Sequence, residues 1–269
     1  MEFKDKFIGF IDILGFKNLV NSAECDNGIS LPDLLKITKK LGSSEDRNNL
    51  IKYGPTVCPQ SSLLKRNLDF RITQISDCVV ISAEISPAGV INLIGHGWKA
   101  VIKLLQDGIM CRGYITRGMI HHTDAQLVGS GYQKAYAKEK EVAAFKHEAD
   151  ERGTPFVEVD PVVCNYVKNS GDECVKKMFS RFVKEDKEIT ALFPFKMLSH
   201  SFAIRNNLDP EKERKSNENI RKGIKNLKKQ IMEYVNESNP IAVKKAQHYI
   251  DALNFQLEVC DKTDEFIDT

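Results

Sequence analysis

The run Phe7-Ile8-Gly9-Phe10-Ile11-Asp12-Ile13-Leu14-Gly15-Phe16 carries one carboxylate through an otherwise apolar strand and ends on a glycine turn. Aspartate is almost never fully buried unless it is paired or holds a cation, and an unpaired ionised carboxylate in a low dielectric protonates instead. A lone aspartate at a strand end also serves as an N-cap or turn former, so Asp12 taken by itself leaves both readings open. A second run, Phe70 to Ile81, repeats the oddity at Asp77. Two such aspartates point to one site, in which a hard cation, Mg²⁺ or Mn²⁺, is gripped by both carboxylates and by substrate phosphates.

The chain has 269 residues, 42% hydrophobic and 28% charged, enough for one large domain or a domain with an appendage. No apolar run approaches the roughly 20 residues that span a bilayer. The start, Met1-Glu2-Phe3-Lys4-Asp5-Lys6, lacks the basic-then-apolar design of a signal peptide. A cytoplasmic protein without a membrane partner is expected. Seven cysteines, at 25, 58, 78, 111, 164, 174 and 260, form no C-x-x-C pair, so they read as reduced thiols, not as a disulfide framework or a zinc site. A net charge of +2 argues against bulk binding of nucleic acid.

Taken in order, Phe7–Ile13 predicts a strand that turns at Gly15 into a helix from about Lys17. The backbone N–H groups of that turn, at Gly15 and Phe16, face whatever Asp12 holds, and a helix start favours phosphate. Leu34, Ile37 and Leu41 after Pro32 predict an amphipathic helix, and Gly54-Pro55 with the stretch around Pro59 predicts a loop. Asp69–Ile75 and Cys78–Ala83 read as a hairpin with Ser76-Asp77 at its tip. Pro87 opens a helix with Ile91, Ile94, Trp98, Val101 and Leu105 on one face. Met110–Ile120 reads as a strand, Ser130–His147 as a helix, Phe156–Val159 as a strand, Val162–Val167 as a helix and Ile189–Phe193 as the last strand.

His121-His122 looks like a metal pair, but adjacent strand residues face opposite sides. After Asn207 the texture changes. Ile220, Ile224, Leu227, Ile231 and Val235, then Ala246, Ile250, Leu253 and Leu257 beyond Pro240, predict an antiparallel helical hairpin. Its basic residues between Lys212 and Lys229 read as a solvated face. The expected organisation is α+β: a ferredoxin-like palm over residues 1–207, with the first strand beside the Asp77 hairpin, and the helical hairpin over residues 208–269.

Phe10-Ile11-Asp12-Ile13-Leu14-Gly15-Phe16 resembles the first metal motif of the class III nucleotidyl cyclases, and Ile75-Ser76-Asp77 resembles their second. Gly129-Ser130-Gly131-Tyr132-Gln133-Lys134-Ala135-Tyr136-Ala137-Lys138-Glu139 fits, without a gap, the cyclase helix that reads Gly-Asp-x-Val-Asn-x-Ala-Ala-Arg-Leu-Glu. The resemblance covers about Phe7 to Ala149 and lies mainly in the order of three short motifs. It implies two metal ions, Mg²⁺ or Mn²⁺, on Asp12 and Asp77, with the backbone carbonyl of Ile13 as a third ligand.

The departures from that pattern matter as much. The ribose-orienting Asn of the family falls on Gln133, its transition-state Arg on Ala137, and its purine-reading Lys and Asp on Thr73 and Gln126. Arg117, Lys134 and Lys138 are the nearby cations by sequence to stand in for the missing Arg. Loss of both purine-reading charges resembles the bacterial pyrimidine cyclases of the Pycsar antiphage system. That subgroup converts UTP or CTP to cyclic UMP or cyclic CMP, works as a head-to-tail homodimer with sites at the interface, and signals to a separate effector. The runners-up are a purine cyclase or palm-domain nucleotide polymerase, and a degenerate cyclase homologue that binds nucleotide without turnover. A nucleic-acid-binding module comes third.

Overall fold

The computed structural model describes residues 2–25, 28–54, 68–195 and 209–268. In chain order the elements are β1 (Lys4–Ile13), α1 (Phe16–Glu24), α2 (Leu31–Lys39), α3 (Ser44–Tyr53), β2 (Arg71–Ile75), β3 (Cys78–Glu84), α4 (Pro87–Leu105), β4 (Cys111–His122) and β5 (Leu127–Val128). Then follow α5 (Ser130–Glu139), β6 (Val157–Val159), α6 (Pro161–Lys168), α7 (Glu173–Phe182), β7 (Val183–Asp186), β8 (Ile189–Leu192), α8 (Pro210–Tyr234) and α9 (Pro240–Asp268).

The sheet runs β2-β3-β1-β4-β6-β8-β7, with β5 paired to β4. Its first four strands are antiparallel throughout, which is the strand order and direction of the ferredoxin-like palm. The β2–β3 hairpin therefore lies beside β1, as the sequence predicts. β1 reads as a nearly continuous apolar run because both faces of the sheet are covered. Phe7, Ile11 and Ile13 join a large core with α4, α6 and α7, while Ile8 and Phe10 join a small cluster with Val80, Ile120 and Ala135 beneath α5. By strand alternation Asp12 continues the Ile8–Phe10 stripe, on the face that α5 and the C-terminal helices cover.

Three sequence expectations need correcting. The helix from Ser130 stops at Glu139, well short of His147. Beyond it the Ala143 N–H donates to the Glu158 carboxylate (3.0 Å), which folds the chain back toward β6. α3 was not expected: none of its residues is buried, so no apolar stripe announces it, although Ser43 and Asp46 form a capping box. α7 and β7 were also missed, and β8 follows β7 as the second arm of a short hairpin. The loop expected around Pro59 and the domain boundary at residues 207 and 208 lie outside the described residues.

α8 and α9 form the expected hairpin, and Ile224, Ile231, Ala246, Tyr249 and Leu253 share one buried cluster with Met110, Tyr114, Phe156 and Phe193 of the sheet and its loops. The hairpin thus covers the sheet at the end where β1 finishes. Tyr234 donates to the Leu14 carbonyl (2.8 Å), and the Tyr249 hydroxyl bonds the backbone of Cys111.

α5 approaches the sheet through two facing glycines. A Cβ on Gly131 would lie 3.0 Å from the Gly118 backbone and inside the Ile8 side chain. Gly131→Ala is expected to cost about 1–3 kcal/mol, the usual penalty for overpacking; denaturant melts that match the native chain would contradict the close approach.

Candidate functional site

Register places the first acidic residue. Asp12 pairs with Cys78 on one side and with Arg112 on the other. Asp77 occupies the turn just before Cys78, where its carbonyl accepts the Ile13 N–H (3.0 Å). The preceding Ser76 sits at φ 54°, in the left-handed region that a two-residue turn demands. Gly15, at φ 78°, ends β1 and starts α1. No side chain caps that helix start, which leaves its first N–H groups without intrahelical partners.

The electrostatics follow from this packing. Burial pushes the Asp12 carboxyl up to about 7, and the negative charges of Asp77 and Glu139 push the same way against Arg112 and Lys140. Two carboxylates near one another on a half-buried surface resist ionising together. A divalent cation relieves that repulsion, so the donor set fits a hard metal ion: the carboxylates of Asp12 and Asp77, with the Ile13 carbonyl adjacent. Among the described residues no cluster of three or more His, Cys, Asp or Glu side chains could hold a metal. The donor set is therefore a two-carboxylate grip that leaves the other coordination positions to oxygens from outside these side chains, not a closed protein cage.

Glu139 is buried at the end of α5 and paired with Arg112, which neutralises both on the Asp12 face. Neither was named from sequence as a site residue, although the strand register would have put Arg112 opposite Asp12 had it been known.

The other sequence candidates scatter. Arg117 lies opposite Phe7, five residues beyond Arg112 on β4 and so roughly 17 Å away at about 3.4 Å per residue. There it donates twice to Asp5 (2.9 and 2.7 Å). Lys134 pairs with Asp160 (2.6 Å) and Lys138 with Glu141 (2.5 Å). All three cations are engaged away from Asp12 within this chain. Gln133 is exposed on α5, and Gln126 is exposed in a turn whose carbonyl accepts the Thr123 N–H (2.9 Å). Thr73 faces the Asp12 side of the sheet, two strands away, and its hydroxyl meets His122 Nε2 (2.8 Å). The other nitrogen of that ring meets Ser82 (2.8 Å). Burial, then Lys6 and Arg71, lower His122 to about 4, so it is a neutral ring locked between two hydroxyls. His121 turns away to the Glu2 carbonyl, and the pair shares no ion.

A residue from far along the chain enters the site. Lys245 of α9 is half-buried and feels Arg112, Glu139 and Asp12; burial first, then Arg112, lowers its pKa. It also lines a cavity with Leu14, Gly15 and Tyr234. Nothing in the sequence around position 245 marks it, because its role depends on where the hairpin docks.

Two solved structures show a likeness to this chain. The catalytic core of a rhodopsin-guanylyl cyclase with converted specificity, in complex with ATPαS, aligns at a TM-score of 0.40 and 13% identity, over 71% of this chain and 95% of that one. A class III adenylyl cyclase-like ATP-binding protein from Pseudomonas aeruginosa aligns at 0.33 and 12%, over 64% of this chain and 37% of that one. No protein-family model matches the chain, and no curated protein matches it. Likeness at these levels assigns no activity. No helix among the described residues is long and apolar enough to cross a membrane.

The raised Asp12 pKa has a consequence for stability. The folded protein holds this proton up to about pH 7, whereas the unfolded chain releases it near 3.8. Folded stability contributed here is present at low pH and falls as pH rises between those values. Metal-free Asp12→Asn protein is expected to melt above the native chain at pH 8, with the difference closing by about pH 4. Thermal melts with the same gap at both pH values would contradict the raised Asp12 pKa.

Proposed function

We propose that this chain is a nucleotide cyclase of the class III type, converting a nucleoside triphosphate to its 3′,5′-cyclic nucleotide and pyrophosphate. The observation that carries the reading is the adjacency of Asp12, at the end of β1, and Asp77, in the turn before the neighbouring β3, beside a glycine turn whose helix start has no side-chain cap. In the proposed mechanism Asp12, Asp77 and the Ile13 carbonyl would hold two Mg²⁺ or Mn²⁺ ions, which would lower the pKa of the ribose 3′-hydroxyl and neutralise charge on the phosphates. The turn at Gly15 and Phe16 receives phosphate oxygens, and Gln133 orients the ribose. The 3′-oxygen attacks the α-phosphorus, its proton leaves to solvent, and pyrophosphate departs with the electron pair of the broken P–O bond. Phosphoryl transfer of this kind is mostly positioning and charge stabilisation.

The substrate proposed is UTP or CTP. Thr73 and Gln126 replace the charged pair that reads a purine, and each can donate or accept a hydrogen bond. The working unit proposed is a head-to-tail homodimer. Such an arrangement would let Gln126, Gln133 and the cations Arg117, Lys134 or Lys138, all remote from Asp12 within one chain, serve the site of the partner. A separate effector that answers to the cyclic nucleotide, as in antiphage signalling, completes the proposal.

A binding-only reading has one observation in its favour: Ala137 stands where the transition-state Arg is expected, and the three candidate replacements are each ion-paired. A purine cyclase keeps the two aspartates and differs only in product.

Incubation with each of UTP, CTP, ATP and GTP in the presence of Mn²⁺, followed by product separation, decides among these. Cyclic UMP or cyclic CMP is expected, and both Asp12→Ala and Asp77→Ala are expected to stay folded and lose turnover at least 100-fold. A cyclic purine product would correct the substrate; tight Mn²⁺-dependent nucleotide binding without product would favour the binding-only reading; an active Asp77→Ala protein would remove the site.

A further inference from the structure

The face around Asp12 carries more negative charge than its own strand neighbours offset, and the helix that should bring a compensating cation presents Ala137 instead. Arg112 and Lys140 offset part of that charge, and the C-terminal hairpin brings a further cation to it. Tyr234, the last residue of α8, donates to the Leu14 carbonyl (2.8 Å) immediately before the Gly15 turn. On α9, Tyr249 is fully buried and bonds the Cys111 backbone, next to Arg112. These two anchors straddle the end of β1. Lys245 lies one helical turn before Tyr249 on the same face. Its ammonium is therefore carried to the turn between β1 and α1.

A cavity of about 170 Å³ opens there, lined by Gly15 and Asn18 from the turn and α1, by Tyr234 and Asn236 from the hairpin, and by Lys245. Pockets that enclose a whole small-molecule ligand run to roughly 300–1,000 Å³, so this one suits part of a ligand. No ion-pair partner holds Lys245 among the described residues, whereas Arg117, Lys134 and Lys138 are all paired. A half-buried cation left without a carboxylate partner, beside a pair of aspartates and backbone N–H groups, has the chemistry of a polyphosphate grip.

We propose that Lys245 binds the terminal phosphates of the nucleoside triphosphate, the part released as pyrophosphate, so that the C-terminal hairpin completes the site. The proposal rests on reading Asp12 and Asp77 as a nucleoside triphosphate site. It assigns to the hairpin a ligand-binding role beyond covering the sheet.

The test is calorimetric titration of the full chain with Mn²⁺ alone, with Mn²⁺-pyrophosphate and with the Mn²⁺ complexes of UTP, CTP, ATP and GTP, alongside product formation. Lys245→Met is expected to weaken pyrophosphate and triphosphate binding at least tenfold and to leave Mn²⁺ binding unchanged. Lys245→Arg is expected to stay within about threefold of the native chain, and Lys244→Met, which removes a like charge one residue away, is expected to match it. Should Lys245→Met fail to fold, Lys245→Gln takes its place. Equal binding of pyrophosphate and triphosphate by the neutral variant and the native chain would overturn the proposal while leaving the cyclase reading intact. A native chain that binds Mn²⁺-pyrophosphate through Lys245 but makes no cyclic product would overturn the cyclase reading alone. A native chain that binds neither pyrophosphate nor any triphosphate would overturn both.

Discussion

The Asp12 carboxylate sits at the end of a strand buried on both faces, next to a second carboxylate that resists its ionisation, and the surrounding architecture answers to that tension. An isolated ionised group there would be expensive. The chain limits the expense by leaving Asp12 half-buried at the end of its stripe, between the small cluster of Ile8, Phe10, Val80, Ile120 and Ala135 beneath α5 and the Tyr114 cluster beneath the α8–α9 hairpin. Arg112 offsets part of the charge but is itself drawn to Glu139. What remains is a proton held up to about pH 7, or a cation in its place. The same imbalance is what a hard cation on the two carboxylates would relieve.

The C-terminal hairpin changes how the palm is understood. Its helices share a core with Met110, Tyr114 and Phe156 and touch the backbone on both sides of the Asp12 strand end. A palm sheet alone leaves that end open. Here it is closed by a segment more than 200 residues away in sequence, which contributes a tyrosine to the glycine turn and a lysine to the acidic face. Lys245 reaches the acidic face from α9, while Lys140 at the end of α5 and Arg112 on β4 act on Asp12 from the palm itself.

His122 illustrates how a polar face is held in order away from the acidic pair. Its ring bridges Thr73 and Ser82, and burial keeps it neutral. Both hydroxyls are thereby fixed in rotamer, which pre-organises Thr73 without adding charge.

The local sequence determined the elements wherever burial imposes a period. β1, the β2–β3 hairpin with Asp77 in its turn, α4 and the long α8–α9 hairpin were legible because apolar residues recur at two, or at three and four, and because glycine and proline mark their ends. The palm order followed from counting those elements, and with it the meeting of Asp12 and Asp77. α3 escaped because it buries nothing, and the true end of α5 escaped because the residues after Glu139 keep a helical composition while the Glu158 carboxylate captures their backbone. Only the tertiary structure decided which cations of this chain lie near the acidic pair. Arg117, Lys134 and Lys138 are near in sequence but point to Asp5, Asp160 and Glu141, whereas Arg112 arrives by strand register and Lys245 by the docking of a distant helix. Periodicity reports which face of an element is buried; it carries no information about the charge that another element brings to that face, because Coulomb interactions depend on separation in space and not along the chain.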